Sequence, residues 1–256
     1  MEVVTQDPVG KVFGSLISTQ YNNLNNLQYT AIGSHKPFKA AKKTYGRSIL
    51  ADTKSHVQDI PDSVKQKKRT TGIVGLNLLL DGGFPEGTII MIYGTPLAGV
   101  DLAAVQFWKV EGEEGTYLMN DGDVELGMID ATDLHPEMYI PQMVGGRIVV
   151  DSLSTIIIKY GIEEALKFLR LTREEMKKRS ANIMFVVYTG IHAPIEMTRI
   201  MRAADIVIEF KTDIHQAEIE RTLAVHKMKD AASPRRLLPF IITDNGIEAS
   251  TTSRVV

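Results

Sequence analysis

Five short apolar runs, interleaved with segments of helical period, constrain the fold of this chain more than any other feature. They are GTIIMIY (87–93), TYLMND (116–121), GGRIVVDSL (145–153), NIMFVVYTG (182–190) and ADIVIEFK (204–211). Each is too short for a helix of ordinary length and apolar on successive rather than alternate positions, and all but TYLMND carry Ile or Val. Such runs suit strands buried on both faces, as in a parallel sheet. The intervening segments read as helices. TGIVGLNLLLDGG (71–83) sets Ile73, Leu76, Leu79 and Leu80 on one face and stops at Gly82-Gly83. DLAAVQFWKVEGEEG (101–115) follows the first strand. GIEEALKFLRLTREEMKKRS (161–180) turns Leu166, Leu169 and Met176 inward. RTLAVHKMKD (221–230) and LPFIITDNGIEA (238–249) read as a terminal hairpin. The expected fold is α/β, a mostly parallel sheet with helices on both faces and a C-terminal hairpin.

Residues 1–70 have a different composition. STQYNNLNNLQYT and SHKPFKAAKKTYGRS offer little apolar material, and KQKKR at 65–69 closes the stretch. Eleven Lys and Arg stand there against five Asp and Glu. The net charge of −2 therefore divides into +6 for residues 1–70 and −8 for the rest. We expect a basic, polar N-terminal extension over 1–70 and a core domain over 71–256. The chain has no cysteine, which excludes disulfides, thiolate metal sites and cysteine nucleophiles. No apolar run approaches the ~20 residues that span a bilayer. MEVVTQDPVG lacks the features of a secretory signal. The expectation is a cytoplasmic protein without a membrane partner.

Between the first strand and its helix lies YGTPLAGVDLAA, Tyr93 to Ala104. Gly94 and Gly99 have the spacing of the phosphate loop G-x-x-x-x-G-K-[ST]. In such a loop backbone N–H groups form an anion nest, the lysine reaches the β- and γ-phosphates, and the hydroxyl holds magnesium. Here Val100 stands at the lysine position and Asp101 at the hydroxyl position. Val100 offers no donor. A carboxylate at ~4 Å from a phosphate oxygen is repelled by several kcal/mol at a protein surface. In the first turn of a helix, the same carboxylate complements the dipole of the unliganded protein.

Three stretches, in order, resemble the RecA-like ATPase superfamily, most closely its archaeal and bacterial KaiC-like, RadA-related branch. TTGIVGLNLLLDGGFPEGTIIMIYG resembles the family's opening, GRIVVDSLS its Walker B strand, and RTLAVHKMKDAASPRRLLPFIITDNGIEA its closing segment. The similarity covers about residues 71–249. It implies a nucleotide site formed by Gly94, Gly99, Val100 and Asp101, with Asn120, Asp121 and Asp151 at neighbouring strand ends. The family's acid at the end of the second strand is an amide here, Asn120. Asp151 retains the Walker B carboxylate. At the family's trans-acting K-x-R turn this chain has Lys227 and Lys229, and a lysine lacks the bidentate fork of arginine. The segment from Gly122 to Gly146 is short for the family and is expected to lack a helix.

Plainer readings of the same residues stand beside these. Gly94 and Gly99 also suit a tight strand-to-helix turn, Asp151 a cap, Asn120 to Asp123 a solvated turn, and Lys227 and Lys229 an exposed edge. Met176, Met184, Met197 and Met201 read as core filler. The six histidines show no metal-ligand spacing, and no His-Ser-Asp grouping is legible. No metal site is expected.

The functional expectation is a catalytically degenerate RecA/KaiC-like pseudo-ATPase, binding no cofactor and acting as a binding, assembly or regulatory subunit. Its partners would be a second copy or an active paralogue. One alternative is a nucleotide-binding ATPase that takes ATP and magnesium through a non-standard loop. Another is a nucleic-acid-binding protein that uses Lys39, Lys42, Lys43 and Arg47, with Tyr21, Tyr29, Phe38 and Tyr45 interleaved among the basic residues.

Overall fold

The strand that precedes the glycine loop, β3 (Ile89–Gly94), lies at the centre of the main sheet with every residue buried. Its odd-numbered side chains Ile89, Met91 and Tyr93 enter one core cluster; its even-numbered Ile90 and Ile92 enter the other. This two-sided burial is why its sequence is apolar at every position rather than at alternate ones. A computed structural model describes residues 67–215 and 218–250. Lys39, Lys42, Lys43 and Arg47 lie outside the described residues, as does nearly all of the basic extension.

Around β3 the strands β4 (Gly115–Met119), β5 (Ile129–Asp130), β6 (Arg147–Asp151), β7 (Asn182–Tyr188) and β8 (Ile206–His215) run parallel, in the order β8-β3-β7-β6-β4-β5. Beyond β8 the sheet turns antiparallel through β9 (Glu218–Met228), β10 (Leu238–Thr243) and β11 (Gly246–Ala249). The expected fold class holds: a mostly parallel nine-stranded sheet, with β10 and β11 as its terminal hairpin. The stretch 238–249 thus folds on itself, and 221–228 is its neighbour strand. Two further short strands, β1 (Lys68–Arg69) and β2 (Phe84–Pro85), pair outside this sheet. Arg69 donates to Glu113 and Asn182, so the described unit reaches back past residue 70.

Helices α1 (Val74–Leu79) and α2 (Val100–Trp108) cover one face; α3 (Leu153–Arg179) and α4 (Pro194–Ala203) cover the other. Leu166, Leu169 and Met176 of α3 are buried, as the period predicts. That helix begins eight residues earlier than its sequence period suggested. It is broken at Gly161, whose φ of 84° and ψ of 165° lie where only glycine is comfortable. Residues 122–146 contain only short 3-10 turns and the two-residue β5, in accord with the expected absence of a helix. No helix among the described residues is long and apolar enough to cross a membrane.

Candidate functional site

The loop after β3 is built around its two glycines. A side chain at Gly94 would meet the Phe210 carbonyl oxygen at 2.7 Å, Val100 Cγ1 at 3.1 Å and Ala98 Cβ at 3.2 Å. Gly99 has φ 82° and ψ 24°, and a Cβ there would lie 3.1 Å from Ile242 Cδ1. Close approach demands the first glycine; a left-handed backbone and close approach demand the second. Between them Pro96–Ala98 forms one 3-10 turn, in which the Ala98 N–H donates to the Thr95 carbonyl at 3.0 Å. Pro96 has no N–H to offer. Val100 opens α2, is fully buried and packs with Ala98 in the α1/α2 core. The loop interior is occupied by the loop's own apolar side chains, under the β10–β11 hairpin residues Ile242 and Ile247.

Asp101, the next residue, is exposed in the first turn of α2. It borders a groove of about 340 Å³ with Asp121 and Asp123 on the rim, Asp151 on the floor, and Tyr117 and Tyr188 on the walls. Lys109 lies there too, paired with Glu125 at 3.1 Å. Asp151 ends β6 and is almost wholly buried. The Tyr117 hydroxyl donates to Asp151 Oδ2 at 2.6 Å and the Tyr188 hydroxyl to Oδ1 at 3.4 Å. Burial raises the Asp151 carboxyl above the usual range; the Tyr117 hydrogen bond opposes this, and the charges of Asp101 and Asp121 add to it. Burial, with Asp151 next in weight, also raises both phenols, Tyr117 and Tyr188, well above an ordinary tyrosine.

Asn120 has a different task from its neighbours. It is buried at the end of β4, accepts the Ser152 N–H on Oδ1 at 2.6 Å, and donates through Nδ2 to the Ser152 carbonyl at 3.2 Å and the Tyr139 hydroxyl at 3.0 Å. The Asp151–Ser152 peptide is cis. Ser152 Oγ caps α3 by accepting the Thr155 N–H at 3.2 Å, and donates to Asp121 Oδ2 at 3.1 Å. Both hydrogen-bonding ends of Asn120 thus serve to join β4 to the end of β6.

The two lysines of the closing segment lie at the other end of the sheet. Lys227 Nζ donates to the carbonyls of Met201 (3.3 Å), Arg202 (3.0 Å) and Ala204 (2.5 Å), closing the C-terminus of α4. Burial lowers its pKa, with Asp205 opposing. Lys229 is 3.6 Å from Asp205. That carboxylate also takes Arg173 at 2.5 Å and the Ile89 N–H at 3.0 Å.

Two features of the site have no signal in the sequence. Tyr117 and Tyr188 come to Asp151 from strands 34 and 37 residues away. Ser154 and His192 meet with Nε2 and Oγ 2.8 Å apart, although no such grouping was expected. Ser154 is fully buried and its Oγ accepts the Tyr188 N–H at 2.9 Å, so it tethers the end of β7 rather than presenting a nucleophile. Burial lowers the His192 pKa. Among the described residues no three His, Asp or Glu are grouped to hold a metal ion.

Comparison with known proteins agrees with this architecture. The family model "ATPase: KaiC" matches residues 133–253, a span containing Asp151, Lys227 and Lys229. A UPF0273 protein of Aeropyrum pernix is 23% identical, over 69% of this chain and 91% of its own length. A UPF0273 protein of Pyrococcus furiosus is 24% identical over the same shares. The crystal structure of a KaiC-like protein of Pyrococcus horikoshii aligns with a TM-score of 0.59 at 19% identity, covering 72% of this chain and 99% of that one. The matched segment and the relatives make this chain similar to KaiC-type proteins, and the shared sheet gives it their RecA-like fold.

Proposed function

We propose that this protein is a KaiC-type domain that has lost triphosphate chemistry and acts as a binding or assembly subunit. The observation that carries the reading is Val100, fully buried where a phosphate-binding lysine would have to extend into the loop. The residues present do not suit a magnesium triphosphate. Pro96 and the bonded Ala98 N–H withdraw two amides from an anion nest, and Asp101 replaces the magnesium-binding hydroxyl. At ~4 Å and an effective dielectric of ~20, a carboxylate and a phosphate oxygen repel by about 4 kcal/mol. Asp121, Asp123 and Asp151 extend the same sign around the groove. Such a groove favours a cationic or neutral partner over a polyanion.

The side-chain geometry gives little support to a nucleotide-binding alternative that borrows a cation from Lys227 or Lys229. Lys227 is held by three carbonyls of its own chain and Lys229 faces Asp205. A nucleic-acid role for the +6 segment is a separate proposal, and its candidate residues lie outside those described. It predicts binding that weakens steeply with salt and disappears when residues 1–70 are removed. The test of the main reading is an ATPase assay with magnesium. We expect no turnover above background. Turnover that Asp151→Ala abolishes would overturn the proposal.

A further inference from the structure

The groove beside α2 carries more charge of one sign than its own chain balances. Five carboxylates line it, from Asp101, Asp121, Asp123, Glu125 and Asp151, against one ammonium, that of Lys109. Glu125 already holds that ammonium at 3.1 Å. Among the described residues no cation pairs with Asp101, Asp121, Asp123 or Asp151. Asp151 is 3% exposed, so the charge on the floor is also the one least screened by salt. Leu102, Val105, Met119 and Met128 complete the lining, and the loop at the rim leaves Leu126 99% exposed. Acids above apolar walls suit a cation on an apolar stem, such as a guanidinium on its methylene chain.

The same chain presents such groups toward the other end of its sheet. Arg235 and Arg236, just before β10, are exposed and make no hydrogen bond or ion pair among the described residues. Leu237, beside them, is 57% exposed. The strand order sets β10 and β4 six spacings apart, roughly 29 Å at ~4.8 Å each. No arginine side chain bridges that distance. Within one chain the two arginines and the groove therefore stay unpaired, whereas between two chains they can meet. Such a contact joins unlike ends of the molecule, so it is heterologous and repeats head to tail.

We propose that the groove of Asp101, Asp121, Asp123 and Asp151 receives Arg235 and Arg236 of a second copy of this chain, with Leu237 supplying apolar contact at the Leu126 rim. The charges give the contact its register, and the apolar pair excludes water from it. This inference rests on the reading that the groove has lost its triphosphate, and it names the partner that takes the space.

The test is sedimentation velocity on the full-length protein without nucleotide. The parent should self-associate at ~0.05 M NaCl, at least tenfold more weakly at ~0.5 M, as screening of the ion pairs requires. Two double variants, Asp101→Lys/Asp123→Lys and Arg235→Glu/Arg236→Glu, each set like charges against each other. Either alone should associate at least tenfold more weakly than the parent. An equimolar mixture should recover the association, because the arginines of the first variant meet the intact groove of the second. A parent that stays monomeric at low salt, or a mixture that stays dissociated, would overturn the proposal. Arg235→Gln/Arg236→Gln leaves α2 and the groove untouched and guards against a folding defect in the reversed groove. Undiminished association of that variant would also overturn the proposal and would assign the groove to another cation. The two readings fail separately. Missing recovery in the mixture removes this contact whatever ATP does, and ATP turnover removes the reading of the loop whatever the sedimentation shows.

Discussion

The hydroxyl of Tyr117 donates to Asp151 Oδ2 at 2.6 Å across the neighbouring strands β4 and β6, in a cavity wall from which water is nearly excluded. A carboxylate retained at a RecA-type strand end is here held by phenols within its own chain. Tyr117→Phe removes the donor and leaves a buried oxygen without it. We expect a loss of about 1–3 kcal/mol at neutral pH, read from urea denaturation. A loss below the error of the extrapolation would mean that Asp151 recovers the bond from water.

The pH dependence of that carboxylate has a definite sign. Burial raises the Asp151 pKa in the folded protein, so the folded state binds more protons than the unfolded one above the unfolded value. Its contribution to stability therefore falls as pH rises from the ordinary Asp range through the raised value. Asp151→Asn removes the titration and keeps an acceptor for Tyr117. The variant should melt higher than the parent at pH 7, with the difference shrinking toward pH 4. A variant that melts lower at pH 7 and equals the parent in acid would show that the charged form is the stabilised one.

Gly99 tests whether the loop depends on its backbone. Its φ of 82° disfavours any side chain, and Ile242 Cδ1 stands 3.1 Å from where a Cβ would go. Gly99→Ala should cost about 1–2 kcal/mol from the left-handed conformation alone. Adding Ile242→Val, which shortens the opposing side chain, should recover part of any steric excess. No cost in the single variant would mean that the loop has an alternative, unstrained path.

Lys227 separates an intrachain role from an intersubunit one. Its ammonium caps the carbonyls of Met201, Arg202 and Ala204. Lys227→Met keeps the stem and removes the charge, and should cost about 1–2 kcal/mol of stability through lost charge-assisted bonds and dipole compensation. Sedimentation should find the same association state as the parent. A change in assembly with no change in stability would restore Lys227 as a subunit contact.

Asn120 is an amide where the resemblance to RecA-like ATPases implies an acid at the end of the second strand. Its Nδ2 donates to the Ser152 carbonyl, and a carboxylate oxygen there would face that carbonyl directly. Asn120→Asp should lower stability by about 1–3 kcal/mol without producing ATPase activity. Gain of turnover would show that this position alone had silenced the enzyme.

The fold was legible because the signal was local. The all-apolar run of β3 and the glycine frame of 94 and 99 each report their own environment, and the structure bears out the parallel sheet. The amphipathic period of α3 is legible only from Gly161, whereas the helix starts at Leu153, directly after the cap Ser152 that follows the strand end at Asp151. Gly161 then mimicked a beginning where it is an interior break. The environment of Asp151 was not legible, since Tyr117, Tyr188 and the Ser154–His192 contact all bridge more than thirty residues. The sequence of Lys227 likewise carries no sign of direction: an ammonium that caps a helix of its own chain and one that reaches a neighbour have the same spelling.

Titration calorimetry of the full-length protein with magnesium ATP tests the central claim most directly. The buried Val100 and the carboxylates of Asp101, Asp121 and Asp151 predict no saturable heat up to ~1 mM nucleotide, a binding free energy weaker than about −4 kcal/mol. Saturable binding with a Kd in the micromolar range would contradict the account. The loop would then have to open in solution, and some other cation would have to take the place of the missing lysine.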